Sequence, residues 1–559
     1  MHWKRLIALY SCLMFGFWAV LCRLYVLASN TDYAVRAERQ TVTTLELQPE
    51  RGNFFDRNGV PLTGAEECWY ALCIPGESTY TRLFDFVDPR DQKTLYQKRN
   101  ATKPFLVRVD RDLSDEGIFT VSQKQRYTEF PLCPHLIGYL DGESQGVSGL
   151  ESAMNDVLSA PDEKATIQCV TNARGGLMES AEPRYFPAGK TAADVQLTID
   201  SGIQASVEGI GMDMMTSGCI VVLDVETAQV LACASFPAYS QDTVANTIQT
   251  GRGSLVNRAF SAYAVGSVFK PLLAAVALEE GYAQHTYQCP GYIDWHKHIY
   301  RCAGGVPHGD VDLQTALEKS CNGYFVELGD KLGGEKLLSY VEKLGFGQPV
   351  YVTGGLKAAA GNLPSAQTLA NAGALANFSF GQGELLATPV QIGAMMNTFA
   401  ADGVYRVPSF LMRTFDADTD STLEEMHTGF QDVPVFSKKT ISTLCTMLAG
   451  VVADGLGKDA DPTWGEAGGK TGTAQTGRFD KDGNEYKNLW FAGFYPVEQP
   501  RYTVVVMQDD QIHAQNSSAA VFARVCDALH LLEPQPQPAP QSKTEENPNT
   551  STETPAEKG

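Results

Sequence analysis

Gly266-Ser267-Val268-Phe269-Lys270-Pro271-Leu272-Leu273-Ala274-Ala275-Val276-Ala277-Leu278 is the stretch from which the rest of the chain can be read. The run after Lys270 is rich in Ala and Leu and predicts a helix buried on most sides. With Ser267 opening that helix, Lys270 falls one turn on and on the same face. A serine hydroxyl is a weak nucleophile until a base sits within hydrogen-bond reach. A lysine in a mostly apolar pocket can lose its proton near neutral pH and act as that base. The helix N-terminus adds a positive field and free N–H groups where an oxyanion would form. A chain of 559 residues contains a Ser-x-x-Lys or two by chance, so the motif needs companions.

Two follow in order. Ser320-Cys321-Asn322 begins 53 residues after Ser267, and Lys470-Thr471-Gly472-Thr473 begins 150 residues after Ser320. Residues 313–319 have a helical pattern, and a loop-like break is expected at Asn322-Gly323. A hydroxyl and an amide at a helix end are more often caps than catalysts; the flanking motifs reverse that preference. Residues 467–475 are small apart from Lys470 and Gln475. A substrate backbone can lie against such a strand and add itself to the sheet. Lys470 with the hydroxyls of Thr471 and Thr473 would bind a carboxylate. Ser-x-x-Lys, Ser-x-Asn and Lys-Thr-Gly together form the set carried by β-lactamases and penicillin-binding proteins. With all three present, the chain resembles the penicillin-binding transpeptidases.

The length suggests two or three domains, and 43% hydrophobic with 19% charged residues describes a globular protein. A net charge of −21 argues against nucleic-acid binding. Of 13 cysteines, Cys12 and Cys22 fall in the first apolar segment. The remainder are odd in number and scattered, which disfavours a full disulfide framework. Neither a Cys-x-x-Cys nor a His-x-x-x-His spacing occurs, nor a glycine-rich phosphate loop; metal ligands and cofactors are therefore expected to be none.

At the N-terminus, residues 1–5 are short and basic, and an apolar run follows, uncharged to Cys22 and continuing past Arg23 to Ala28. Residues 6–28 are long enough to span a membrane, with Arg23 snorkelling at the far interface. Lys4 and Arg5 predict a cytoplasmic N-terminus and an extracytoplasmic remainder; a cleaved signal peptide is the competing reading. Beyond residue 30 the composition is that of a soluble domain. Glu50-Arg51-Gly52-Asn53-Phe54-Phe55-Asp56-Arg57-Asn58-Gly59 has a strand-like centre and an Asn-Gly turn. Gly146-Val147-Ser148-Gly149-Leu150-Glu151 precedes a helical pattern at 152–158. Both segments are similar to the non-catalytic pedestal of class B penicillin-binding proteins, and Arg51, Gly52, Asp56, Gly149 and Glu151 carry over as structural residues.

Residues 161–194 read as loops and short hairpins joining two domains. Residues 195–200 alternate as a strand, and 219–224 and 229–234 form a hairpin of a well-covered sheet. That hairpin has Thr227-Ala228 where the family usually has Thr-Gly, and Val265-Gly266-Ser267 replaces the common Pro-Gly-Ser. Ser235-Phe236-Pro237-Ala238-Tyr239, Asn257-Arg258-Ala259, Ser379-Phe380-Gly381-Gln382-Gly383 and Ala387-Thr388-Pro389-Val390-Gln391 also look like family segments. The last reads as a helix start with Pro in its first turn. Residues 489–495 and 502–507 supply two further strands, and 517–532 a helix that covers the sheet. Residues 533–559 have six prolines and neither aromatic nor large aliphatic residues, a composition that predicts disorder.

The resemblance implies an α+β/α/β architecture. It comprises a transmembrane helix (6–28), an elongated α+β pedestal (29–160), linking loops (161–194) and a transpeptidase domain (195–532) with an antiparallel sheet between helical layers. It implies a D,D-transpeptidase that cross-links peptidoglycan stem peptides and is acylated by β-lactams. Ser267 would be the nucleophile and Lys270 its base, Ser320 would relay a proton, and Asn322 would hold a substrate amide. Lys470, Thr471, Gly472 and Thr473 would bind substrate, with backbone N–H groups of Ser267 and Thr473 holding the oxyanion. A membrane glycosyltransferase partner, met through anchor and pedestal, is implied as well. A carboxypeptidase or β-lactamase on the same site is an alternative, as is a non-catalytic scaffold. Cys302 lies 19 residues before Cys321, with Cys289 a further candidate partner. These are read as small buried hydrophobes or, in an oxidising compartment, as a Cys302–Cys321 bridge that would displace Ser320.

Overall fold

The computed structural model describes residues 2–29, 42–48, 51–74, 77–89, 91–159, 164–171, 177–178, 182–188, 192–250, 253–426 and 432–533. The Pro-rich tail and parts of the 161–194 segment lie outside the described residues. The N-terminal helix α1 (His2–Ser29) packs on none of the other described residues. Its apolar residues are exposed all round, which suits a helix surrounded by lipid rather than a core element.

Beyond it, Glu66–Cys73 pairs antiparallel with Phe105–Val109 and Thr120–Gln125. This small sheet buries Ala71, Val107 and Val109 against Leu83 and Leu95 of two short helices. A second sheet pairs Val42–Glu46 with Thr166–Val170, which in turn pairs with Arg184–Phe186. Strand 166–170, inside the expected linking segment, therefore returns to the N-terminal region. The helical pattern expected at 152–158 is two short helices, Gly149–Ala153 and Asn155–Leu158, interrupted at Met154 (φ −115°).

The residues singled out in this region close it on itself and on the domain that follows. Glu151 is fully buried and receives Arg51 Nε at 2.8 Å, Arg126 Nε at 2.7 Å and the Tyr127 hydroxyl at 3.0 Å. Arg51 also donates to the Glu151 carbonyl and to Asn155 and Ser159. With these three donors on it, the buried Glu151 carboxylate is satisfied rather than stranded. Gly52 N–H donates to Leu158 O. Asp56 accepts the N–H groups of Asn58 and Val60, which folds the Asn58-Gly59 turn, and its other oxygen accepts from Ser201. Phe54–Phe55 joins a four-stranded sheet through a parallel pairing with Ala193–Leu197, which pairs with Leu411–Asp416.

The second domain is built on five strands: β1 (Gly218–Asp224), β2 (Val230–Phe236), β3 (Gly468–Phe479), β4 (Glu485–Tyr495) and β5 (Tyr502–Gln511). They form one antiparallel sheet in the order β2-β1-β5-β4-β3. The helices that matter for the site are α2 (Ser201–Met214), α3 (Lys270–Glu279), α4 (Asn322–Leu332), α5 (Pro389–Ala400), α6 (Lys438–Ala453) and α7 (Ser518–Leu532). Alternate residues of β1 serve two cores. Ile220 and Val222 pack with α2 and α7, whereas Val221 and Leu223 belong to the larger core holding α3, α4 and α5. A sheet apolar on both faces explains why these strands read as continuous apolar runs.

The strand expected over 195–200 runs instead over Ala193–Leu197, and Asp200 caps the helix that follows. Asp200 accepts the Gly202 and Ile203 N–H groups at the start of α2. Thr388 and Gln391 form a capping box ahead of α5, with Pro389 in its first turn. In the β1–β2 turn, Ala228 adopts φ 56°. An alanine there accepts a left-handed conformation that glycine would take without cost.

Candidate active site

Ser267 lies in a 3₁₀ turn, Gly266–Phe269, that runs directly into α3 at Lys270. The α-helix thus starts one turn later than the sequence suggests, at the point where Pro271 dispenses with an N–H that has no partner. From Lys270 to Ala277 every residue of α3 is buried, which fixes the turn rigidly. Gly266 holds φ 65° and donates its N–H to Gly381 O at 2.7 Å. A Cβ at Gly266 would come within 2.7 Å of Thr473 O, so this glycine lets β3 pass close to the serine. Gly472 does the same from the other side, where a Cβ would sit 2.8 Å from Val268 Cγ1. Val265, just before this turn, is fully buried. Ser267 itself is half-exposed.

Lys270 is fully buried, and its ammonium is shared among three oxygens. Nζ lies 2.8 Å from Ser320 O, 3.1 Å from Ser320 Oγ and 2.7 Å from Asn322 Oδ1. Asn322 Nδ2 donates to Arg301 O at 2.8 Å, so its amide orientation is fixed from both ends. Burial lowers the Lys270 pKa to about 8, with the sulfurs of Cys321 and Cys302 opposing the shift. Among the described residues it has no carboxylate partner.

The second motif departs from the expected break. Leu313–Glu318 is helical, but the interruption falls at Lys319–Cys321, and Asn322 and Gly323 already belong to α4. Cys321 N–H donates to Ala316 O and Ser320 N–H to Leu317 O, the two closing bonds of a Schellman turn. The position that calls for φ > 0 is occupied by Ser320, at φ 52°. Glycine would be the relaxed choice there; a serine in that conformation is strained, and it carries the hydroxyl to Lys270.

Lys470 is fully buried on β3, the edge strand of the sheet. Its Nζ donates to Thr471 O and Thr471 Oγ1, both at 3.2 Å. Burial, then the nearby Lys270 charge, drives its pKa well below the ordinary lysine value. Thr471 is half-buried and Thr473 exposed. One side of β3 pairs with β4; the other leaves backbone groups free for an extended ligand. Trp490 of β4 ties this edge back to the nucleophile through Nε1–H to Ala264 O at 3.1 Å. The structure thus brings Lys270, Ser320 and Asn322 into one hydrogen-bonded group, with Ser267 one turn from Lys270 and Gly472 against Val268.

The 13 cysteines are all free thiols. Cys302 and Cys321 do approach, at 3.9 Å between sulfurs, and Cys289 lies 3.7 Å from Cys302. His308, to which the sequence gave no signal, joins them: one ligand atom from each of the four residues lies within 4.8 Å of the others. The expectation of no metal-ligating set took account only of short spacings; these candidate ligand atoms come from three separate segments.

Residues 218–527 match the transpeptidase domain of penicillin binding proteins. Among curated relatives, stage V sporulation protein D of Bacillus subtilis is 28% identical over 503 residues, covering 83% of this chain and 75% of the relative. Penicillin-binding protein PbpB of Mycolicibacterium smegmatis is 30% identical over 460 residues, covering 77% and 68% respectively. The fold is shared with penicillin binding protein 3 of Mycobacterium tuberculosis complexed with aztreonam. That comparison has a TM-score of 0.64 and 24% identity, over 88% of this chain and 97% of that one. The chain belongs to the penicillin-binding protein transpeptidase family, among its class B members.

Proposed function

We propose that this chain is a peptidoglycan D,D-transpeptidase in which Ser267 forms an acyl-enzyme with D-Ala-D-Ala stem peptides and β-lactams acylate the same serine. The observation that carries the reading is the buried Lys270 amine held by Ser320 and Asn322 one turn from Ser267. A neutral amine has two N–H groups and one lone pair. Ser320 O and Asn322 Oδ1 can only accept and so take both N–H groups, which leaves the lone pair for a hydroxyl proton.

In this reading Lys270 removes the Ser267 proton as Oγ attacks the penultimate D-Ala carbonyl. The N–H groups of Ser267 and Thr473 hold the oxyanion. Collapse expels D-Ala, protonated through Ser320, and an acceptor amine resolves the ester. Lys470 and Thr471 would receive the terminal carboxylate, and the stem peptide would lie along the free edge of β3.

Helix α1 is long and apolar enough to act as a membrane anchor. Lys4 and Arg5 support a cytoplasmic N-terminus, with the pedestal (29–160) and transpeptidase domain (195–532) outside. A membrane glycosyltransferase met through anchor and pedestal is part of the same proposal.

The test is fluorescent-penicillin labelling followed by mass spectrometry of the acylated peptide. A long-lived adduct on Ser267, absent from Ser267→Ala, is expected. An adduct on another serine would overturn the site, rapid turnover would make the protein a β-lactamase, and hydrolysis without cross-linking would make it a carboxypeptidase.

A further inference from the structure

Two segments between the first and second motifs meet the second motif at one point. Cys289 ends the strand Tyr287–Cys289, which pairs antiparallel with Gly309–Val311, so the ladder sets Cys289 opposite Gly309 and beside His308. Cys302 follows the hairpin of Tyr292–Trp295 and His298–Arg301. Cys321 is the N-cap residue of α4. The three cysteines are buried and His308 is half-buried.

The spacing among their ligand atoms fits a tetrahedral metal site. A tetrahedral zinc ion has Zn–S distances of about 2.3 Å and Zn–N distances of about 2.05 Å, which place neighbouring sulfurs about 3.8 Å apart and a sulfur and a nitrogen about 3.6 Å apart. The observed separations are 3.7 Å for Cys289–Cys302, 3.9 Å for Cys302–Cys321 and 3.6 Å from Cys289 Sγ to His308 Nδ1. A disulfide would require sulfurs about 2.05 Å apart, and could join only two of the three thiols. The surroundings suit thiolates. Gly291 N–H donates to Cys289 Sγ at 3.4 Å. Such N–H···S contacts orient and stabilise metal-bound sulfur.

We propose that Cys289, Cys302, His308 and Cys321 form a tetrahedral Cys₃His site for a structural zinc ion. On binding, each thiol releases one proton to solvent and His308 ligates through neutral Nδ1; no ligand is oxidised or reduced. With four protein ligands the site is closed and does no chemistry. Its effect is positional. Cys321 separates Ser320 from Asn322, and Asn322 Nδ2 is bonded to Arg301 O, the residue before Cys302. A bound ion would clamp the 289–308 loops to the second motif and hold the thiols against oxidation in an oxidising compartment.

The experiment uses the full chain in detergent, loaded with zinc and dialysed. Elemental analysis should give about one zinc per chain, and cobalt substitution should give the intense visible absorption of tetrahedral thiolate-bound Co²⁺. Chelation should expose three additional thiols to a thiol reagent and lower the melting temperature. His308→Ala, a change at a half-exposed loop residue, should weaken zinc binding at least tenfold, and Cys302→Ser should abolish it. Zinc below one-tenth per chain with intact thiols would overturn the proposal. So would equal zinc in wild type and both variants, or a Cys302–Cys321 disulfide that persists under zinc. These readouts do not depend on penicillin acylation, so the site and the transpeptidase reading can fail separately.

Discussion

Lys270 and Asn322 are joined by a 2.7 Å hydrogen bond from Nζ to Oδ1, and the opposite end of the same amide is anchored on Arg301 O at 2.8 Å. Asn322 is therefore a strut between the base and the loop that precedes Cys302, beyond any contact it makes with substrate. Asn322→Ala should lower the second-order rate of penicillin acylation on the order of a hundredfold, since misplacing a catalytic group by about an ångström has that scale. Stopped-flow acylation measures it. A wild-type rate would show that Ser320 alone positions the lysine.

The pH dependence of acylation should report Lys270. Its neutral form is the base, and its pKa is about 8 because burial disfavours the ammonium. The rate should rise about tenfold per pH unit below 8 and level off above it. The same depression has a stability consequence. Between about 8 and the ordinary 10.5 the unfolded chain binds a proton that the folded chain does not, so this group makes stability increase with pH across that window. A flat acylation profile from pH 6 to 9 would remove Lys270 from the role of base.

Ser320 trades stability for placement. At φ 52° its Cβ is strained by about 1 kcal/mol, and its hydroxyl lies 3.1 Å from Lys270 Nζ. Ser320→Gly should relieve the strain and hold or raise the melting temperature, while acylation falls about 10²–10⁴-fold through loss of the proton relay. Loss of both stability and activity would mean that the hydroxyl is mainly a structural hydrogen-bonding group.

The three motifs were legible because their chemistry depends on residue type at local spacing. The sheet was legible because both of its faces are apolar, and the start of α5 because Pro389 suits a first helical turn. What escaped depends on conformation or on distant contacts. The break beside Asn322 was misplaced because Gly323 invites a turn, yet it is packed inside α4 against the Tyr287 ring, and the left-handed residue is Ser320. Ala228 shows the same thing in reverse, holding a glycine-like conformation without glycine. Cys289, Cys302 and Cys321 were legible as candidate partners, but His308 was hidden because only strand register sets it beside Cys289. Strand 166–170 was assigned to a linker because its partner lies over a hundred residues away.

Glu208 offers a test of the fold that is separate from the catalytic residues. It is buried on α2 and accepts the Cys133 N–H at 2.8 Å and Gln204 Nε2 at 2.7 Å. It has no cation to pair with in these contacts, and burial raises its pKa from 4.5 to about 7. The sign follows from proton counting. Between pH 4.5 and 7 the folded chain keeps this proton and the unfolded chain loses it, so stability is fully present below 4.5 and declines as pH rises to 7. The loss at pH 8 is on the order of 3 kcal/mol at 1.36 kcal/mol per pKa unit. Glu208→Gln keeps the acceptor oxygen for Cys133 and Gln204 and removes the charge. The variant should match wild type near pH 4.5 and exceed it by up to about that amount at pH 8, read from denaturant midpoints at the two pH values. Parallel stability profiles for the two proteins would show that Glu208 ionises in the folded chain as it does in water.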